Sequence, residues 1–214
     1  MYVTHIVSLG HDCSTAHNLR AHFNFAAAYP FDWGITPVWG GAKFLREPDC
    51  DKLYAPDLLP PIRGSDDRIA YIVNDYYGIQ FRHEFPRNAG MVDVREDFKE
   101  HTAEPRCRTK SLLERLTALG EKGNVILLVR SFEESWQTTS KDYEEFIETA
   151  PIFFLPADVR FLLINSPFSP SDGMPHVRFR NMPGPNGEWQ GNPGVGIAPG
   201  NVEIGGAALL ALSR

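Results

Sequence analysis

The chain is poor in cysteine and poor in long apolar runs. Only Cys13, Cys50 and Cys107 occur in 214 residues, and no two form a C-x-x-C pair. That spacing excludes a cysteine-built zinc knuckle. An odd set of three points to free thiols in a reducing compartment rather than to a disulfide framework. No apolar stretch reaches the roughly 18 residues of a membrane span, so no span is expected. Positive charge is also short: 21 Lys and Arg stand against 27 Asp and Glu, a formal net charge of −6. Nucleic acid is therefore not an expected partner, because a polyanion needs a clustered positive field. The opening Met1-Tyr2-Val3-Thr4-His5 has no basic leader, so no signal peptide is expected and the location expected is cytoplasmic. There is no Gly-x-Gly-x-x-Gly, no Walker loop and no Gly-x-Ser-x-Gly elbow, so nucleotide cofactors lack a motif and none is expected.

What is present is an ordinary globular mixture, with 43% hydrophobic and 22% charged residues. A chain of this length buries a core without covalent staples, and one domain over residues 1–214 is the economical reading. Short apolar runs at 4–9, 124–130 and 159–165 read as buried strands, with a weaker one at 176–180. Segments 68–75 and 78–85 read as a β pair. Helical spacing marks 12–23, 42–46, a long stretch over 94–119 broken near Pro105, and 141–149; residues 202–212 suit a last helix. Residues 48–68 read as loop, and about 183–201 as an irregular Gly/Pro-rich segment. Alternating strands and helices predict an α/β domain with a central, mainly parallel sheet flanked by helices, in three layers of the doubly wound type. The strands at 4–9, 125–130 and 160–165 are expected to share that sheet and run parallel.

The most informative feature is a strand, a Gly10 turn and a helix with Cys13 in its first turn. A thiol there faces free backbone N–H groups and the positive end of the helix dipole. It also stands at the carboxyl edge of the sheet, where open α/β folds bind ligands. The plainer alternative is a thiol that packs the helix on the sheet. His11, Cys13 and His17 form a possible metal set, since Cys13 and His17 are one helical turn apart, but without a distant fourth ligand no metal is expected. Ser8 and Ser14 leave a serine-type hydrolase open. Arg130 ends the best strand and is a candidate for holding a substrate carboxylate or phosphate, or for pairing with Glu133, Glu134 or Asp32. Asp32 lies among aromatics and needs a partner: a backbone N–H, an arginine or a histidine.

The segment Ser8-Leu9-Gly10-His11-Asp12-Cys13, with Leu19-Arg20 and the later Tyr29-Pro30-Phe31-Asp32-Trp33, resembles the opening of an uncharacterised family described as papain-like cysteine peptidases. His83-Glu84-Phe85, the arginines Arg106, Arg108 and Arg115, and the run from Val125 to Arg130 extend the resemblance over about residues 3–132. It implies a thiol hydrolase or acyl-transfer enzyme with a Cys13–His83 dyad acting on a peptide or small acyl compound. Asp93 and Asp32 are the candidates for a third member. Trp33 and Arg130 are candidates for substrate contact. The residues alone also admit a non-catalytic α/β module that binds a small anionic or sugar-like ligand at the same edge, and a serine-type or metal-dependent hydrolase.

Overall fold

The computed structural model describes residues 5–23, 27–89, 92–132 and 137–168, together with the strand backbones at 176–179, 182–183 and 189–190. The chain opens with strand β1 (His5–Ser8) and helix α1 (Cys13–Phe23). A second group follows: β2 (Gly34–Ile35), α2 (Val38–Arg46), α3 (Cys50–Leu53), β3 (Pro61–Arg63), β4 (Ile69–Val73) and β5 (Gln80–Phe81). Helix α4 (Ala103–Thr117) then leads to β6 (Val125–Ser131), α5 (Ser140–Phe153), β7 (Asp158–Ile164) and β8 (His176–Phe179). Two short strands, β9 (Met182–Pro183) and β10 (Trp189–Gln190), pair antiparallel.

The first sheet has the order β1-β6-β7-β8, and every neighbouring pair is parallel. The three apolar runs at the start of the chain, near 125 and near 160 therefore do lie side by side. The register places Val7, Leu128 and Phe161 on one face, and Ser8, Val129 and Leu162 on the other. Both faces are buried along β6, which is why its sequence is apolar without alternation. Ring contact between Phe146 and Phe161, with centroids 6.3 Å apart, seats α5 on the first face. Thr15 of α1 reaches Ser131, on the same face as Val129, across 2.5 Å between their hydroxyl oxygens. The described strands follow chain order across the sheet without the reversal that defines a doubly wound sheet.

The second sheet is antiparallel, in the order β2-β5-β4-β3. Three of its four strands have only two or three residues, and their ladder bonds rather than any hydrophobic pattern make them strands. Its inner face, with Ile72 and Phe81, joins Val7, Leu128 and Phe161 in one continuous core. Helix α2 packs along α5. The start of α2 sits so close to the turn after β4 that a side chain at Gly40 would run into the Tyr77 carbonyl.

Several local expectations change. The loop expected over 48–68 contains α3, a 3-10 turn at Pro56–Leu58 and β3; Asp49 caps α3 by accepting from the Asp51 and Lys52 N–H groups. The single helix expected over 94–119 starts instead at Ala103. It is preceded by a 3-10 turn at Phe98–His101 and by a bridge from Val94 to Ile69. Pro105 does not break α4, because it is the third helical residue, where no N–H partner is needed. Helix α5 runs further than 141–149, started by a capping box between Thr139 and Asp142. The helix expected over 202–212 lies outside the described residues, as does most of 183–201. Among the described residues, no helix is long and apolar enough to cross a membrane.

Candidate functional site at the carboxyl edge of the parallel sheet

The edge is built by the turn between β1 and α1. The Leu9 N–H donates to Val129 O at 2.9 Å, and the Ser131 N–H donates to Gly10 O at 3.0 Å, so the turn continues the parallel pairing past β1. Gly10 has φ of +87°, a conformation that L side chains resist, and a Cβ there would stand 2.9 Å from Arg130 Nη1. The Ser131 hydroxyl accepts from the His11 N–H at 3.1 Å. The Thr36 N–H, just after β2, donates to His11 O at 2.7 Å, and so the second sheet is tied to the same turn.

Arg130 makes the deepest connection. It is only 2% exposed, because β6 continues to Ser131 and Arg130 shares the inward face of Leu128. Its Nη1 donates to Leu9 O at 2.5 Å and its Nη2 to Thr36 O at 2.6 Å. The guanidinium also lies 5.8 Å from the ring centres of both Phe132 and Phe146. Its Nε has no partner among the described residues. Desolvation pushes its pKa down to about 9, with only the nearby Asp12 charge opposing. Arg130 thus fastens the end of β1 to the end of β2. Of the acidic partners weighed for it, Asp32 is bound elsewhere, and Glu133 and Glu134 lie outside the described residues.

Cys13 is the first residue of α1, half-buried, as the strand–turn–helix pattern requires. Its electrostatics differ from the expectation of a lowered pKa. Burial and the Asp12 charge raise it, in that order of size, whereas its own backbone N–H and Arg82 lower it. The cause is local. Asp12 Oδ1 accepts from the Ser14 N–H at 3.0 Å and from the Ser14 hydroxyl at 2.6 Å, so a carboxylate occupies the helix start. His17, one turn on, is exposed. Ser14 is committed to Asp12, and Ser8 is 1% exposed. Among the described residues no group of three or more His, Cys, Asp or Glu side chains is placed to hold a metal ion.

His83 follows β5 and is exposed. Through the pairs Ile35–Gln80 and Gly34–Phe81, β5 is the second-sheet strand next to β2, whose following residue Thr36 bonds the Cys13 turn. Among the described residues no hydrogen bond joins His83 to Cys13 or to either candidate carboxylate. Glu84 turns the other way: it accepts from Arg108 Nη2 at 2.6 Å and from the Tyr54 hydroxyl at 3.1 Å. That network borders a crevice lined by Phe31, Phe44 and Phe81, with about 20 Å³ of free space, room for little more than one water.

Asp32 is 2% exposed and is held by Arg20 and by the Tyr29 N–H at 3.0 Å. Burial outweighs both and raises its pKa to about 6. Two of the three partners reasoned for it from sequence are thus the ones it has. Asp93 lies at the other side of the second sheet, next to the Val94–Ile69 bridge, where Asn88 Nδ2 donates to it at 2.5 Å and holds its carboxyl below the usual range. Within the Pro30–Trp33 segment, Phe31 is core, whereas Trp33 is 48% exposed with the Arg20 guanidinium 5.7 Å from its ring centre. Sequence reasoning passed over Arg82, whose signal was alternation: in Phe81-Arg82 one side chain faces in and the next must face out. No protein-family model matches this chain, and no curated protein or solved structure matches it significantly.

Proposed function

We propose that the chain is a thiol-dependent hydrolase or acyl-transfer enzyme, with Cys13 as nucleophile and His83 as its base, as its resemblance to the papain-like cysteine peptidases implies. The observation that carries this reading is the placement of a half-buried cysteine on the first helical residue beyond β1, at the carboxyl edge of a parallel sheet. In the proposed step the Cys13 sulfur adds to an amide, ester or thioester carbonyl carbon. The bond to the leaving group breaks, and the thiol proton passes through His83 to that leaving group. Water then attacks the thioester, returns the proton to sulfur and releases the acid. The Ser14 N–H is taken by Asp12, so the Cys13 N–H is the donor left beside the developing oxyanion. Trp33 is the proposed substrate-facing surface. Asp32 and Asp93 are engaged by Arg20 and Asn88, and the proposal rests on the dyad without a third member. The three-layer arrangement belongs to the same reading, supported by α1 and α5 contacting opposite faces of the sheet.

The test is turnover of a small activated ester. Cys13→Ala and His83→Ala should each cost at least about a hundredfold, with the double variant no worse than either single one. His17→Ala should change little. Full activity of His83→Ala on a substrate that still needs Cys13 would transfer the base role to His17. A non-catalytic binding module is the second reading, favoured by the raised Cys13 pKa and by the absence of a Cys13–His83 hydrogen bond among the described residues.

A further inference from the structure

Strand β6 ends in two neighbouring polar residues, Arg130 and Ser131, that grip the β1–α1 turn from opposite faces of the sheet, because successive strand side chains point to opposite sides. Arg130 holds Leu9 O from the inner face. Ser131 holds the turn from the other. Its hydroxyl accepts from the His11 N–H at 3.1 Å, stands 2.5 Å from the Thr15 hydroxyl and lies 3.3 Å from Gly10 O. A serine hydroxyl has one hydrogen to give and two acceptor positions. Accepting from His11 and Thr15 and donating to Gly10 uses all of them. These partners bracket Cys13: Gly10 and His11 stand before it and Thr15 after it. The Thr15 link also sets the roll of α1 about its axis. Residues two apart on a helix are turned about 200° from each other, so tying the buried Thr15 down onto the sheet turns Cys13 away from it. Stability alone does not call for this hydroxyl pair, since two apolar side chains of the same shape would pack α1 on β6 about as well. What the hydrogen-bonded pair adds is a single fixed geometry.

We propose that Ser131 is the positioning residue of the Cys13 site: acting through the turn and Thr15 rather than on the substrate, it holds the Cys13 sulfur and the Cys13 N–H in their working places. The inference rests on the thiol reading of that site. In that reading the Cys13 N–H is the oxyanion donor, and it lies between His11 and Thr15, two of the groups that the Ser131 hydroxyl fastens. A bond to the oxyanion is made in the transition state and not to the same degree in the bound substrate. Misplacing such a donor by about 1 Å costs up to about a hundredfold in rate. Loss of the Ser131 hydroxyl therefore falls on kcat and spares KM.

The experiment compares the wild type with Ser131→Ala, Ser131→Thr and Thr15→Val in two assays: hydrolysis of 4-nitrophenyl acetate, and the pH dependence of Cys13 alkylation by iodoacetamide, read by mass spectrometry. Ser131→Ala should lower the Cys13-dependent kcat about tenfold with KM held within about twofold. Its alkylation midpoint should move down, because a loosened turn admits water to a thiol whose burial is the largest cause of its raised pKa. Asp12 and Arg82, the charged groups that act on the thiol, are the same in every variant. Ser131→Thr keeps the hydroxyl and should restore both values. Thr15→Val keeps the shape, loses one bond and should move both part of the way. Buried Cys50 should stay unmodified, which verifies that each variant is folded; if Cys50 reacts in Ser131→Ala, Thr15→Val decides alone. Leu116→Ala, a cavity made in α4, should lower Tm and leave both readouts at Cys13 unchanged. Either readout unchanged in Ser131→Ala, a loss that Ser131→Thr does not restore, or the same loss in Leu116→Ala overturns the positioning role and leaves the thiol reading standing. Turnover that survives Cys13→Ala in full overturns the thiol reading, and the positioning role with it.

Discussion

Asp32 offers the sharpest test of the energetics, because burial and ion pairing act on it in opposite directions. The carboxyl is 2% exposed, Arg20 and the Tyr29 N–H bind one oxygen, and the other oxygen has no partner among the described residues. Burial prevails, and the folded-state pKa lies at about 6 against an ordinary 3.8. Between those two values the folded chain binds more protons than the unfolded one, so stability falls as pH rises. Ionising Asp32 in the folded state costs about 3 kcal/mol in all, of which about 2 kcal/mol falls between pH 4.5 and 7.5. Asp32→Asn keeps an acceptor for Tyr29 and Arg20 and removes the titration. Urea unfolding of both proteins across that range isolates the effect, since every other group cancels in the difference. The wild type should lose about 2 kcal/mol relative to Asp32→Asn from the acid end to the neutral end. A difference that runs the other way, with the wild type gaining as pH rises, would mean that the Arg20 pair outweighs burial and would refute the reasoning.

Two further outcomes follow from packing. Arg130→Met removes a buried cation but leaves the Leu9 and Thr36 carbonyls without their donors; each orphaned acceptor costs about 1–3 kcal/mol, and chemical denaturation should show a net loss partly offset by the desolvation no longer required. Gly40→Ala should destabilise by about 1–3 kcal/mol or more, read as a drop in Tm, because the new methyl meets the Tyr77 backbone carbonyl rather than a movable side chain.

The elements legible in the sequence were those whose own residues supply the signal. The apolar runs of β1, β6 and β7 and the cysteine-led helix α1 are found at or near their expected places. The second sheet was half legible. Its β4–β5 pair was visible as two β segments, but β2 and β3 are too short to show a period and exist because neighbours complete their ladders. Arg130 was read as the open end of a strand. Its parity with Ile126 and Leu128 carried the contrary information, since side chains two apart share a face and that face is core. Asp12 stands in the sequence just before Cys13, but that its charge would offset the dipole there was not legible, because that balance depends on burial, which a linear pattern does not reveal.

The guanidinium that joins the Leu9 and Thr36 carbonyls has a consequence for how the molecule opens. The second sheet enters and leaves the parallel sheet by long connections, the arrangement in which an inserted unit can unfold alone. A buried bond from β6 to the first residue beyond β2 makes such separate opening expose a charged side chain's carbonyl partners and the turn that bears Cys13 together. The His11–Thr36 amide pair should then exchange with deuterium at the same slow, denaturant-sensitive rate as the amides of β6, as one cooperative foldon. Any ligand that tightened the edge would be felt in both sheets at once.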